Sequence, residues 1–153
     1  MPDWLIIVIT GLLGLFALYQ SFIVQNTFAK YILYGLFISL VLIMIPNSTS
    51  KITGFIFQLL IFISFIYYGI KQKDFSINKR LLIVIPTFLI FLLMVFAIQH
   101  WKGTNIMSVM MIIPIVCYGI VLLKRNSEFK NEFGIITIIN FHSVYFFVRF
   151  IIQ

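Results

Sequence analysis

Six apolar runs close to bilayer-spanning length follow one another along the chain, at residues 5–24, 31–45, 52–70, 81–98, 106–123 and 133–152. A soluble domain carries roughly 25% charged residues. Here only 10% of residues are charged, 62% are hydrophobic and the mean hydropathy is +1.12. A chain of this kind cannot cover its own surface with polar groups, so its solvent is lipid. The reading is an all-α fold: one integral membrane domain, a polytopic transmembrane helical bundle of about six spans.

Between the third and fourth runs lies the longest polar stretch, Lys71-Gln-Lys-Asp-Phe-Ser-Ile-Asn-Lys79-Arg80. It holds four of the eleven basic residues and one acid, Asp74. With Lys30 in the first turn and Lys124, Arg125 and Lys130 in the last loop, eight bases fall on one side of the bilayer and three on the other. The positive-inside bias makes the eight cytoplasmic. Both termini are then outside, with Trp4 and Trp101 together at the outer interface. In a soluble protein the net charge of +7 would suggest nucleic acid. Because the bases flank apolar segments, anionic headgroups and topology account for them, and no nucleic-acid partner is expected. Cys117 is the only cysteine, which leaves no intrachain disulfide. Abundant Ile, Phe, Asn and Lys with little Ala points to an AT-rich genome and hence to a bacterial inner membrane.

The N-terminus lacks the basic region of a signal peptide, so the first run reads as a retained helix. Thr10, Gly14, Ala17 and Ser21 recur at intervals of four, three and four, one stripe of small residues on which another helix can approach closely. The second run is short, spanning only roughly 22 Å at 1.5 Å per residue unless it borrows from the preceding turn. It carries a further small pair, Gly35 and Ser39, and stops at Pro46. Asn47-Ser-Thr49 matches a glycosylation sequon but abuts the bilayer. The third run contains Gln58 and ends in Tyr67 and Tyr68, placed as an aromatic belt. Pro86 predicts a kink or a late start in the fourth helix, and Pro114 a bend in the fifth.

The sixth run is the most polar, with Thr137, Asn140, His142, Ser143 and Arg149. Polar groups on two sides require this helix to be central or to touch a partner. Asn140, His142 and Arg149 form the candidate intramembrane polar site. Several readings of His142 stand open: a neutral histidine bonded to a helix neighbour, or a proton relay, a ligand site or a metal ligand. All four acids, Asp3, Asp74, Glu128 and Glu132, fall in segments read as water-facing, which leaves a relay without a carboxylate. No nucleophile with a base, no paired acids and no metal-ligand spacing is legible, so neither an enzyme nor a cofactor is expected.

Phe96-Ala-Ile-Gln-His-Trp-Lys-Gly103, followed by Asn105-Ile-Met107, resembles the Phe-Lys-Ile-x-His-Trp-Pro-Gly segment of GldL-type inner-membrane proteins of Bacteroidetes gliding and type 9 secretion. Phe96, Ile98, His100, Trp101 and Gly103 match. The resemblance implies a periplasmic loop between the fourth and fifth helices, the side that charge counting also selects, with His100, Trp101 and Gly103 as an outer-loop motif. Ala97 stands where that family has an intramembrane lysine, Lys102 replaces its proline, and its motor carboxylates have no evident counterpart. The resemblance implies a related lineage and loop shape, and it does not imply the motor.

The expected function is therefore a non-catalytic inner-membrane subunit. It would pack against a membrane-protein partner or a second copy of itself through the small-residue stripe and the polar sixth helix. The alternative is a small oligomeric transporter or pore for a neutral or lipophilic solute, which would show a continuous polar line through the bundle.

Overall fold

The computed structural model describes residues 3–99, 104–124 and 128–152. Its regular structure there is helical: α1 (Asp3–Ile23), α2 (Thr27–Met44), α3 (Ser48–Lys71), α4 (Ile77–Ile98), α5 (Thr104–Val109), α6 (Ile112–Lys124) and α7 (Phe133–Ile152). Helices are what lipid permits, because each backbone N–H and C=O must find its partner within the segment. Four stretches, Thr27–Met44, Ser48–Lys71, Ile77–Ile98 and Ile106–Lys124, are long and apolar enough to cross a membrane. The protein is a multi-pass integral membrane protein built as an all-α bundle.

Short polar caps set the helix starts. Asn26 accepts from the Ala29 amide at 3.0 Å, Asn47 from Thr49 at 3.0 Å and Ser76 from Lys79 at 3.2 Å. The apparent sequon is thus the N-cap of α3, and α2 does borrow from the turn, beginning at Thr27. Ile45, extended ahead of Pro46, ends α2. The central polar run is less of a loop than its sequence suggests. α3 continues through Lys71 and α4 starts at Ile77, so Lys79 and Arg80 are helical. Arg80 caps the connection from within by donating to the Gln72 carbonyl at 3.0 Å.

The two prolines act differently. α4 runs unbroken through Pro86, where Thr87 donates its hydroxyl to the Ile83 carbonyl at 2.6 Å. The fifth span is divided. A proline ring clashes with the carbonyl four residues back, and for Pro114 that residue is Met110, where α5 and α6 part. The Met110 carbonyl accepts from Ile113 instead, at 3.1 Å.

α1 to α4 pack in sequence, and α7 touches α1, α2, α4, α5 and α6, which makes it the central helix. Phe62, Phe65, Leu33, Leu36, Ile83, Ile90 and Ile138 are fully buried around it. The small-residue stripe of α1 faces inward. Gly14, Ala17 and Ser21 are buried, and the Cβ position of Gly14 looks onto Phe37 and Leu40 of α2. Leu12, Leu15, Tyr19 and Phe22 form the opposite, lipid-facing stripe. This part of the seam is used within the chain. The tightest approach lies elsewhere, at Gly54 of α3. A Cβ there would meet the Ser39 carbonyl at 2.9 Å and the Ile43 amide nitrogen at 3.0 Å. Buried hydroxyls on Ser39, Thr87 and Ser143 bond to carbonyls of their own helices.

Candidate functional site

Among the described residues, two polar clusters and a cavity stand out in the apolar interior. The first cluster corrects the expectation that every acid faces water. Glu132, just ahead of α7, is 1% exposed. Its Oε1 accepts from the Tyr68 hydroxyl at 2.9 Å, and Lys79 Nζ lies 3.0 Å from Oε2. Aromatic rings wall the group. Lys79 sits over the Phe75 ring at 3.9 Å, and Tyr68 stacks on Phe28 at 5.3 Å. Tyr68 is therefore buried, and only Tyr67 keeps the expected belt position, with Lys71 over its ring at 5.8 Å. One carboxylate thus ties α3, α4 and the start of α7 together at the basic end. The sequence carried a signal for this: Phe129 and Phe133 flank Glu132 within an otherwise charged run, and both are buried.

The second cluster joins α3 to α7 deeper in the bundle. His142 Nδ1 lies 2.9 Å from the Ile138 carbonyl, and Nε2 lies 2.8 Å from Gln58 Nε2. A carbonyl only accepts, so Nδ1 carries the hydrogen. In the neutral ring Nε2 then accepts from the Gln58 amide. This is the helix-neighbour arrangement, completed by a partner from α3. The Gln58 Oε1 atom is left buried with no hydrogen-bond donor. Phe62 meets the imidazole edge-on at 6.2 Å.

The other members of the predicted polar site do not join it. Asn140 has a buried Oδ1 without a hydrogen-bond partner among the described residues. Thr137 belongs to the α6 side: it donates to the Phe133 carbonyl at 2.8 Å and accepts from Tyr118 at 3.1 Å. Arg149 lies on α7, but its side chain is outside the described residues, as are His100, Trp101 and Gly103 of the outer-loop motif.

Around His142 the bundle opens into a cavity of about 380 Å³. Its wall comes from the end of the bundle opposite the central basic connection. α1 gives Ile9, Thr10 and Leu13; α2 gives Leu40 and Ile43; α3 gives Phe55; α4 gives Met94, Ala97 and Ile98; α7 gives Phe141, His142, Tyr145 and Phe146. No charged side chain is among them. Thr10, a member of the small stripe, forms part of this wall.

The two clusters lie ten residues apart on both helices, Tyr68 opposite Glu132 and Gln58 opposite His142. That is roughly 15 Å along each helix axis. Phe62, Phe65, Ile135, Ile138 and Ile139 fill the space between, so among the described residues the polar groups do not form a continuous line. No group of three or more His, Cys, Asp or Glu comes together among them. No family model, curated protein or solved structure matches the chain.

Proposed function

We propose that the protein is a non-catalytic component of a bacterial inner membrane that holds a small, neutral, lipophilic molecule in the cavity around His142. The observation that carries this reading is the cavity itself. It is large, apolar and free of charge. Membrane interiors otherwise pack tightly, and space of this size lined by aliphatic and aromatic groups is what a lipophile fills. Burial of an ion against such a wall would leave its charge uncompensated. The basic end lies in the cytoplasm on this reading, and the cavity lies in the outer half of the bilayer.

The test uses an aliphatic diazirine hydrocarbon as photolabel on the protein in nanodiscs, with adducts mapped by mass spectrometry. Labelling should concentrate on cavity residues such as Met94 and Tyr145, and Ala97→Phe, which fills the space, should remove it while helicity is kept. Equal labelling of the filled variant would overturn the reading. Orientation is tested in a Cys117→Ser background. A cysteine at Ser76 should be shielded from an impermeant thiol reagent in intact cells, and one at Asn105 should react. The reverse pattern would invert the topology.

A second reading, a subunit that contacts another chain, is favoured by one observation on the fifth span. Gly119 is exposed, nothing lies within 4 Å of its Cβ position, and Val116 and Leu123 flank it on the outer face. Disulfide trapping of a Gly119→Cys variant as a dimer would support it, and an unchanged monomer would remove it.

A further inference from the structure

Three side chains of the cavity wall carry a hydrogen-bonding nitrogen or oxygen: Thr10, His142 and Tyr145. Two of them are engaged. The His142 Nδ1–H donates to the Ile138 carbonyl, its Nε2 accepts from the Gln58 amide, and Thr10 has a partner of its own. Tyr145 packs its ring edge-on against Phe146 at 5.4 Å, and its hydroxyl has no hydrogen-bond partner among the described residues. We infer that the molecule held in the cavity is a lipophilic ketone or ester, its carbonyl oxygen accepting from the Tyr145 hydroxyl. This rests on the reading of the cavity as a lipophile site and adds the polar group that the ligand carries.

The hydroxyl stands at membrane depth. Twelve positions separate Tyr145 from Phe133 at the start of α7, roughly 18 Å along the axis, in a hydrocarbon core of about 30 Å. Helix side chains lean toward their own N-terminus, which for α7 is the basic end, so Tyr145 leans into the bilayer and away from the outer surface. A tyrosine hydroxyl taken out of water normally finds a partner, because an unmade hydrogen bond there is costly. A ligand oxygen removes that cost.

A carbonyl oxygen suits this site because it accepts one bond and brings no hydrogen that must itself be served. An alcohol can accept the same bond, but its own proton then needs an acceptor, and the His142 Nε2 lone pair is already taken. An alkane leaves Tyr145 as it is. A carboxylate would find no cation in the wall, and an ammonium no carboxylate. Size sets the remainder. A cavity of about 150 Å³ takes a benzene molecule, so about 380 Å³ accommodates on the order of 15 non-hydrogen atoms. A single chain of that length with one carbonyl fits, and a folded diacyl lipid does not.

The experiment is displacement of the diazirine hydrocarbon from the protein in nanodiscs by 2-dodecanone, 1-dodecanol and dodecane. Concentrations are corrected for partition into the bilayer. The ketone should displace the label from the wild type at concentrations about tenfold below dodecane, the preference that one hydrogen bond of about 1.4 kcal/mol confers. The alcohol should fall between the two. Tyr145→Phe disturbs no internal hydrogen bond, so it should fold as the wild type does. In that variant the preference for the ketone should drop below about threefold, with displacement by dodecane unchanged. A ketone preference below about threefold in the wild type, an alcohol that displaces as well as the ketone, or a preference that survives Tyr145→Phe overturns this inference and leaves the lipophile site standing. Failure of all three compounds to displace the label, or labelling that does not map to the cavity, overturns both.

Discussion

α3 and α7 meet twice, and the two meetings are built differently. At the basic end, Glu132 receives Tyr68 and Lys79, rings from Phe28 and Phe75 close over them, and the carboxylate is 1% exposed. At the other meeting, His142 receives Gln58, but the side chains around it stand back and leave about 380 Å³ of space. Rigidity follows from the first arrangement. A buried ion pair gives little net stability compared with an apolar replacement, yet it is costly to break from one side. It fixes register, and here it fixes three helices at once. The second arrangement is where the molecule has room to receive something. A membrane helix bundle gains little from hydrophobic burial against lipid, so packing and internal hydrogen bonds decide which parts stay closed.

The largest effect that would sharpen this contrast is expected from Glu132→Ala. It leaves Lys79, 14% exposed at its side chain, and the Tyr68 hydroxyl without their acceptor. Breaking a buried pair from one side costs about 3–5 kcal/mol, and the residual exposure of Lys79 places this case near the lower value. Thermal unfolding in a mild detergent, followed by circular dichroism, measures it. Adding Lys79→Met to the same variant should recover much of the loss. If Glu132→Ala unfolds with the wild type, the pair is solvated and the two ends are not distinct.

Next in size is Gly54→Ala. The added methyl meets backbone atoms of Ser39 and Ile43 at 3.0 Å or less, and backbone cannot rotate away. Overpacking of this kind costs about 1–3 kcal/mol. Gly14→Ala is the control, since its Cβ would meet only side chains at 3.7 Å or more, an ordinary contact distance. Equal losses in the two variants would mean that the α2–α3 crossing is looser than the structure has it.

What the sequence made legible, and what it hid, follows the same division. The helical pattern, the small stripe of α1, the stop of α2 at Pro46 and the disturbance that Pro114 causes are local properties, set by a few neighbouring residues. Partners separated by 64 and 84 positions are not. Glu132 sits in a run with Glu128, which makes an exposed pair with Lys124 four residues earlier. Only the tertiary turn at Phe129 and Phe133 distinguishes one glutamate from the other. The stripe at Thr10, Gly14, Ala17 and Ser21 was visible as a seam, but spacing cannot say whether the approaching helix belongs to the same chain. Gly54 lies four residues after Ser50 and close to Lys51, where a sequence reads as helix entry and not as a crossing point. The cavity is absence of side-chain volume summed over five helices, and no periodicity records that.

His142 allows the deeper meeting to be probed by a smaller effect. His142→Leu leaves the Gln58 amide without an acceptor, and intramembrane hydrogen bonds are worth about 0.6–2 kcal/mol. Substitution by glutamine retains an acceptor and should lose less. A relay role predicts something else: both variants well folded, both inactive in any assay of function, because neither side chain titrates. That result would set aside the structural role of the imidazole.

Tyr145→Phe should have the smallest effect on the fold. The tyrosine hydroxyl has no described hydrogen-bond partner, so its removal takes away no internal interaction and leaves no internal group unpaired. Stability in detergent should stay within about 0.5 kcal/mol of wild type, as for substitutions that disturb no cap, core or network. The corresponding change at the closed end, Tyr68→Phe, removes the bond to Glu132 and should cost about 1.5–3 kcal/mol, as for hydrogen bonds to charged groups. The two substitutions are chemically identical, differ only in which end of the bundle they touch, and can be measured side by side in one unfolding experiment. A clear loss at Tyr145 would mean that its hydroxyl is held by the protein itself, and the two ends of the bundle would then differ less than the structure has it.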